Sequence, residues 1–295
     1  MHLLITSIGF GLVQAAILSI SAMGFSLQFG MTNVLNLSYG SLMTIGAFLT
    51  LLISEQGISI WLGVLIGAIT VGFITLVIGR VIIRRFANRG SRLFEMAIVT
   101  VAIALIIDYI IAAITKSAIF QFLFPLGSNH HILGMVFTTT QLDIMAIAVV
   151  TIFVLELVLH RTKLGISIRA SAANGPLARA SGIPTNHVVR LTWFVSGVLC
   201  GLGGALLAVT YLSVSFVEGT NYLPYILAAV VVAGIGAVGY AALASLILAL
   251  VIEIAGSYGA GSYNVAIAVG VLLLMLLVRP RGFFGELWEK SEAMG

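Results

Sequence analysis

The sequence predicts an all-α, polytopic bundle of membrane-spanning helices, and three observations carry that reading. Of 295 residues, 60% are hydrophobic and only 8% charged, where a soluble globular chain carries about 25% charged residues. Fourteen basic and ten acidic side chains cannot coat a body of this size, so lipid must meet its apolar surface. Stretches such as IWLGVLIGAITVGFITLVIG stay apolar for a full helical length, whereas barrel strands alternate polar and apolar residues over about ten positions. Each span uses about 20 residues to cross about 30 Å of hydrocarbon, so the length holds about eight to ten spans and no sizeable soluble domain. The 32 glycines suit membrane helices that pack closely.

Apolar runs fall at about 8–30, 35–53, 60–83, 96–115, 143–159, 191–212, 223–239, 240–256 and 264–278, giving nine candidate helices. The second opens on a polar stretch, NVLNLSYGS, which reads as a broken or re-entrant piece. The seventh and eighth share only a glycine-rich turn at Gly234, Gly236 and Gly239. Arg80, Arg84, Arg85, Arg89 and Arg92 follow the third run; Arg161, Lys163, Arg169, Arg179 and Arg190 follow the fifth; Arg279, Arg281 and Lys290 follow the ninth. Lys and Arg are retained on the cytoplasmic side, so these groups place the C-terminus in the cytoplasm and the N-terminus outside, with Lys116 alone opposite. The net charge of +4 therefore reads as topology, not as nucleic-acid binding. No cleavable leader is expected, since the first basic side chain is Arg80, and the single Cys200 forms no intrachain disulfide. The longest outer loop, about 116–142, is expected against the membrane surface or on neighbouring helices.

The informative loop is His160–Arg190. Asn174 or Gly175 can cap a short helix, Pro176 suits its first turn, and Gly182 followed by Pro184 ends it. A helix over about Pro176–Ser181 follows, with Leu177 and Arg179 projecting among the small residues Ala178, Ala180 and Ser181. Two roles fit it: lying in a groove of another protein, or holding anionic lipid with Arg169, Arg179 and Arg190.

This loop resembles the coupling loop of the branched-chain amino-acid ABC importer permeases. Their pattern T-x-x-G-x-x-x-R-A-x-A, then small residues and G-I, is met by Thr162, Gly165, Arg169, Ala170, Ala172, Ala180, Gly182 and Ile183. Asn36–Phe48 (NLSYGSLMTIGAF), Phe194–Leu206 (FVSGVLCGLGGAL) and Arg279–Gly285 (RPRGFFG) are similar to three further family segments in the same order. One departure is Ala233-Gly234, with Gly236, where the family often has Gly-Gly. The resemblance implies one permease domain over 1–295, in a bacterial-type inner membrane, carrying branched-chain amino acids or similar small polar solutes. It also implies a second related permease subunit, two cytoplasmic ATPases and an extracytoplasmic solute-binding protein. Coupling would fall to Arg169, Ala170, Ala172, Leu177, Ala178, Arg179, Gly182 and Ile183. No G-x-x-x-x-G-K-[ST] loop occurs in the chain, so no cofactor is expected on it, and ATP with Mg belongs to the partner ATPases.

Ionisable groups in hydrocarbon are costly and face the protein interior, which makes Asp108 and Glu253 pathway candidates, or else buried partners of other polar groups. Asn36 and Tyr39 join them because broken helices line transport paths. Helix packing through Ser38, Gly40, Ser41, Gly46 and Ala47 fits the same segment equally, as do Gly63-x-x-x-Gly67 and Gly197-x-x-x-Gly201. Enzyme readings fail. Gly165-Ile166-Ser167-Ile168 sits in a basic loop, no histidine lies within a span to serve as its base, and His130 and His131 have no carboxylate or Cys ligand nearby. The rival reading is a stand-alone, ion-gradient-driven transporter, which would need an ion site and inverted repeats. A non-transport, lipid-binding protein is the third.

Overall fold

The computed structural model describes residues 2–87, 89, 93–122, 127–132, 134–279 and 282–283. Arg92, Arg281 and Lys290, three of the residues used for orientation, lie outside them, as does much of the RPRGFFG segment.

All nine apolar runs fold as helices. They are α1 (His2–Thr32), α2 (Tyr39–Glu55), α3 (Ile60–Ile78), α5 (Leu93–Thr115), α6 (Thr139–Arg161), α9 (Thr185–Tyr211), α10 (Glu218–Ala233), α11 (Val238–Ala255) and α12 (Asn264–Val278). Three shorter helices join them: α4 (Arg84–Ala87), which continues α3 through a wide π-helical turn at Gly79–Ile83, α7 (Lys163–Ala173) and α8 (Gly175–Ala180). Among the described residues, six helices are long and apolar enough to cross a bilayer. The remaining three of the nine runs, α2, α10 and α12, are 17, 16 and 15 residues long, short of the roughly 20 that a full span takes.

The segment between α5 and α6 holds what the apolar pattern did not show. Strand β1 (Phe120–Gln121) pairs antiparallel with β4 (Ser213–Val214), and β2 (Asn129–Ile132) forms a hairpin with β3 (Met135–Thr138). The hairpin leads straight into α6 through a reciprocal cap: Gln141 N donates to Thr138 Oγ1 (3.3 Å) and Thr138 N to Gln141 Oε1 (3.0 Å). This Thr-x-x-Gln box satisfies two donors that a helix start leaves open.

The chain divides into two compact units, 1–26 with 123–152 and 224–295, and 27–122 with 153–223. In the first, Gly11 of α1 lies against Leu250 of α11, and Ser19 Oγ donates to Ala242 O (3.2 Å). The glycine turn anticipated between the seventh and eighth runs is present as residues 234–237, with Gly234 and Gly236 at φ 100° and 93°, a region open to glycine and strained for other residues. Gly282 packs on Gly234, and Phe283 N donates to Val232 O (2.9 Å).

The second unit is built on glycine contacts among α2, α3 and α9. A Cβ on Gly46 would stand 2.6 Å from Gly201 O, one on Gly201 2.7 Å from Val71 Cβ, and one on Gly197 2.5 Å from Thr75 Cβ. Gly67 meets Gly46 O, and Gly204 meets the Met43 backbone. Both Gly-x-x-x-Gly pairs therefore lie on helix seams, where the missing Cβ lets backbones approach. As positions rise along α3, their partners on α9 fall from Gly201 to Trp193, so the two helices run antiparallel.

Candidate functional site

Two polar constellations of the second unit contain most of the residues the sequence singled out. The first is the break between α1 and α2. Asn33 closes α1 in the left-handed region (φ 52°), its N–H donating to Phe29 O (2.7 Å), and residues 33–38 are not helical. Non-helical backbone at membrane depth survives only where protein satisfies its polar groups. Thr100 of α5 does that here: its Oγ1 accepts from Leu37 N (3.1 Å), and its one proton is shared between Leu35 O (2.9 Å) and Ala97 O (2.8 Å) of its own helix. Beneath the break lies a buried network. Asn36 Nδ2 donates to Gln28 Oε1 (3.3 Å), Ser196 Oγ to the same oxygen (3.1 Å), and Ser38 Oγ to Asn36 Oδ1 (2.6 Å). Tyr39 OH donates to Ser196 O (3.4 Å), and Cys200 Sγ to Tyr39 O (3.2 Å). Asn36 and Tyr39 are thus fully enclosed and hold the break in shape.

The second constellation surrounds Asp108, buried at 6% exposure. Its Oδ2 accepts from Thr220 Oγ1 (2.9 Å), Ser41 Oγ lies 3.2 Å from that hydroxyl, and Asp108 Oδ1 has no partner among the described residues. Gly219 N donates to Thr44 Oγ1 (3.1 Å), and Gly40 and Gly219 touch backbone to backbone. Asp108 therefore keeps unused acceptor capacity in a protein interior, which Asn36 and Tyr39 do not. Glu253 belongs to the first unit, is half-buried on α11, and its carbonyl accepts from Ser257 Oγ (2.8 Å).

The basic loop is more helical than its sequence suggested. Thr162, in extended conformation, caps α7 by accepting from Gly165 N (3.2 Å), while its hydroxyl donates to Val158 O (2.6 Å). A Cβ on Gly165 would collide with the carbonyls of Val158 and Leu159. The Thr-x-x-Gly pair is thus the hinge that lets α7 turn back on the end of α6. Asn174 then caps α8, its Oδ1 accepting from Leu177 N (3.0 Å), with Pro176 in the first turn. The helix ends in a Schellman motif: Gly182 has φ 85°, Gly182 N donates to Arg179 O (3.0 Å) and Ile183 N to Ala178 O (3.0 Å).

Leu177 is 62% exposed, and Arg179, Ala172 and Gly182 are exposed as well. Ala170 and Ile183 are half-buried, and Ala178, at 4%, faces its own chain. Ala178 therefore packs inward while Leu177 and Arg179 project, as the small and large side chains of this helix suggest. Arg169 Nη1 lies 3.2 Å from His160 Nδ1, and His160 Nε2 3.1 Å from Glu156 Oε2, so Arg169 is tied to the end of α6. His130 Nε2 is within 3.1 Å of Ser128 Oγ and 3.2 Å of Thr139 Oγ1, local partners of the hairpin.

Six helices of spanning length among the described residues define a multi-pass membrane protein. Residues 7–278 match the family described as branched-chain amino acid transport system / permease component, and the chain belongs to that family. Relatives include a probable branched-chain amino acid transport permease protein LivH of Methanocaldococcus jannaschii, 28% identical over 96% of this chain and 93% of that protein. The high-affinity branched-chain amino acid transport system permease proteins BraD of Pseudomonas aeruginosa and LivH of Escherichia coli are 25% and 24% identical, each over 94% of both chains. Among solved structures, a chain of PsaBC from Streptococcus pneumoniae in complex with Fab superposes with TM-score 0.52 at 14% identity, covering 95% of this chain and 94% of that one. That likeness concerns the fold.

Proposed function

We propose that this permease imports branched-chain amino acids, or similar small polar solutes, as one membrane subunit of an ATP-driven complex in the inner membrane. Its partners in this reading are a second related permease, two cytoplasmic ATPases that hold ATP and Mg, and an extracytoplasmic solute-binding protein. The names of its relatives support the substrate class.

The observation that carries the coupling role is α8. It is a short helix held by a side-chain cap at one end and a Schellman stop at the other, presenting an exposed leucine and arginine. Burying a leucine on docking contributes about 1.5–3 kcal/mol, and an arginine can pair with a carboxylate in two-pronged fashion. Docked on an ATPase, α8 transmits nucleotide-driven closure to α9 across the short turn 181–184. The ATPase states then differ in how strongly they stabilise inward- and outward-open forms, which is what moves the equilibrium. The positions of the arginines support a cytoplasmic C-terminus. Within the membrane, Asp108 is the best supported pathway residue, because its free carboxylate oxygen can meet the ammonium group of a zwitterion. Asn36 and Tyr39 act through the shape of the break, and Glu253 stands as a second candidate carboxylate.

The test replaces Leu177 and Arg179 together by Glu in the assembled complex. Loss of ATPase co-purification and of uptake, with the permease still folded, supports docking through α8. Retained complex and retained uptake overturn it.

A further inference from the structure

A second cationic feature lies apart from α8. The end of α3, its π-helical turn and the start of α9 enclose a cavity of about 250 Å³ lined by Arg80, Arg84 and Arg190. Its depth in the bilayer follows from helix length. The 19 residues Ile60–Ile78 rise about 28 Å at 1.5 Å each, close to the hydrocarbon thickness. Arg80 and Arg84 come next and so stand at headgroup level. Because α9 runs antiparallel and seats Trp193 against Gly79, Arg190, one turn before Trp193, reaches the same level.

Apart from Thr32 and Asn186 the rest of the lining is apolar, with Val34, Leu76, Ile83 and Trp193 its larger side chains. Gly79 is what allows the ring to sit there, since a Cβ would lie 2.5 Å from Trp193 Cδ2. The wide turn that follows is of the kind found often at functional sites. None of the three arginines pairs with a carboxylate among the described residues, whose ion pair is His160–Glu156. Arg190 uses its Nε on Asn186 O (3.2 Å). Three guanidinium groups around an apolar floor, at the depth where lipid phosphates lie, are complementary to an amphiphile with an anionic head.

We propose that this cavity binds an anionic phospholipid, its phosphate held by Arg80, Arg84 and Arg190 and its glycerol and upper acyl carbons against Leu76, Ile83 and Trp193. The lipid would brace the junction of α3 and α9, the two helices whose seam forms the core of the second unit.

The test uses the full-length chain purified with its partner subunits, delipidated in detergent and titrated with phosphatidylglycerol, phosphatidylethanolamine or inorganic phosphate, with bound lipid counted by native mass spectrometry. Phosphatidylglycerol is expected to be retained in preference to phosphatidylethanolamine, and inorganic phosphate to leave it in place. Arg84→Gln and Arg190→Gln should each weaken retention about tenfold, the scale of one charged hydrogen bond. Lys116→Gln, at the opposite end of the bundle, should retain the lipid fully. Arg84→Lys, which keeps the charge but not the planar fork, should bind at an intermediate level and covers the case of a glutamine variant that does not fold. Equal retention of the two lipids, displacement by inorganic phosphate, or unchanged binding by folded arginine variants would each overturn the proposal.

Discussion

Gly46→Ala is a one-carbon change whose consequence can be worked from the structure. The new Cβ would stand 2.6 Å from Gly201 O and 2.8 Å from Gly201 Cα, both backbone atoms of α9, so no side chain can rotate out of its way. Normal carbon contacts lie at about 3.5–4.0 Å, and restoring one means separating α2 from α9 by close to 1 Å. That separation also opens the neighbouring contact of Gly204 with the Met43 backbone. A gap of about 0.5–1 Å forfeits a quarter to a half of each contact's dispersion energy, and overpacking of this kind costs about 1–3 kcal/mol. The assay is reversible unfolding of the purified protein in mixed micelles. Gly270→Ala serves as reference, because its Cβ meets nothing within 4 Å. Gly46→Ala should lower the unfolding free energy by about 1–3 kcal/mol, while Gly270→Ala leaves it unchanged or raises it by a few tenths. If the two variants unfold alike, the glycine seam does not set the α2–α9 distance and the packing argument falls.

Thr100→Val should strand Leu37 N and remove the shared donor of Leu35 O, at about 1–3 kcal/mol for a buried group left unpaired; Thr100→Ser should recover most of that, read by the same unfolding assay. Asn174→Ala removes the α8 cap and should cost about 1 kcal/mol, visible as faster amide exchange at Leu177 and Ala178 with no change in the exchange of α9. Gly182→Ala, forced to keep φ 85°, should cost about 1 kcal/mol or more, whereas Gly175→Ala, with open space around it, should be neutral.

What the sequence disclosed about these sites follows how far apart in the chain their determinants lie. The start and stop of α8 rest on Asn174, Pro176 and Gly182, all within nine positions, and each acts on its immediate neighbours. The break before α2 shows itself the same way, as a polar run on an otherwise apolar background. Its support does not: Thr100 reaches back 63 and 65 residues to Leu37 and Leu35, and no local pattern marks a threonine within an apolar helix as the one that will do so. Helix α7 was hidden for a different reason. KLGISIRASAA mixes basic, small and branched residues, and the two that shape it, Thr162 and Gly165, stood out only through family resemblance until their bonding to the end of α6 was seen.

That bonding bears on how a push at α8 could be felt in the membrane. Helix α7 is anchored to α6 through Thr162, Gly165 and the Glu156–His160–Arg169 chain, and α8 passes into α9 across four residues stiffened by the Schellman bonds. Helix α9 is in turn locked to α2 and α3 through backbone contacts at Gly201, Gly197 and Gly204. Close-packed elements of this kind move as blocks and do not deform continuously. If α8 is the docking element proposed above, its displacement carries α9, α3 and α2 together. The break at residues 33–38 is held to that block by Thr100 and by the Gln28–Asn36–Ser196 network, so the end of α1 is moved with it. Weakening the native shape of the break by Asn33→Ala, which disfavours φ 52°, should therefore lower uptake more than it lowers ATPase association, a pairing that simple misfolding would not produce.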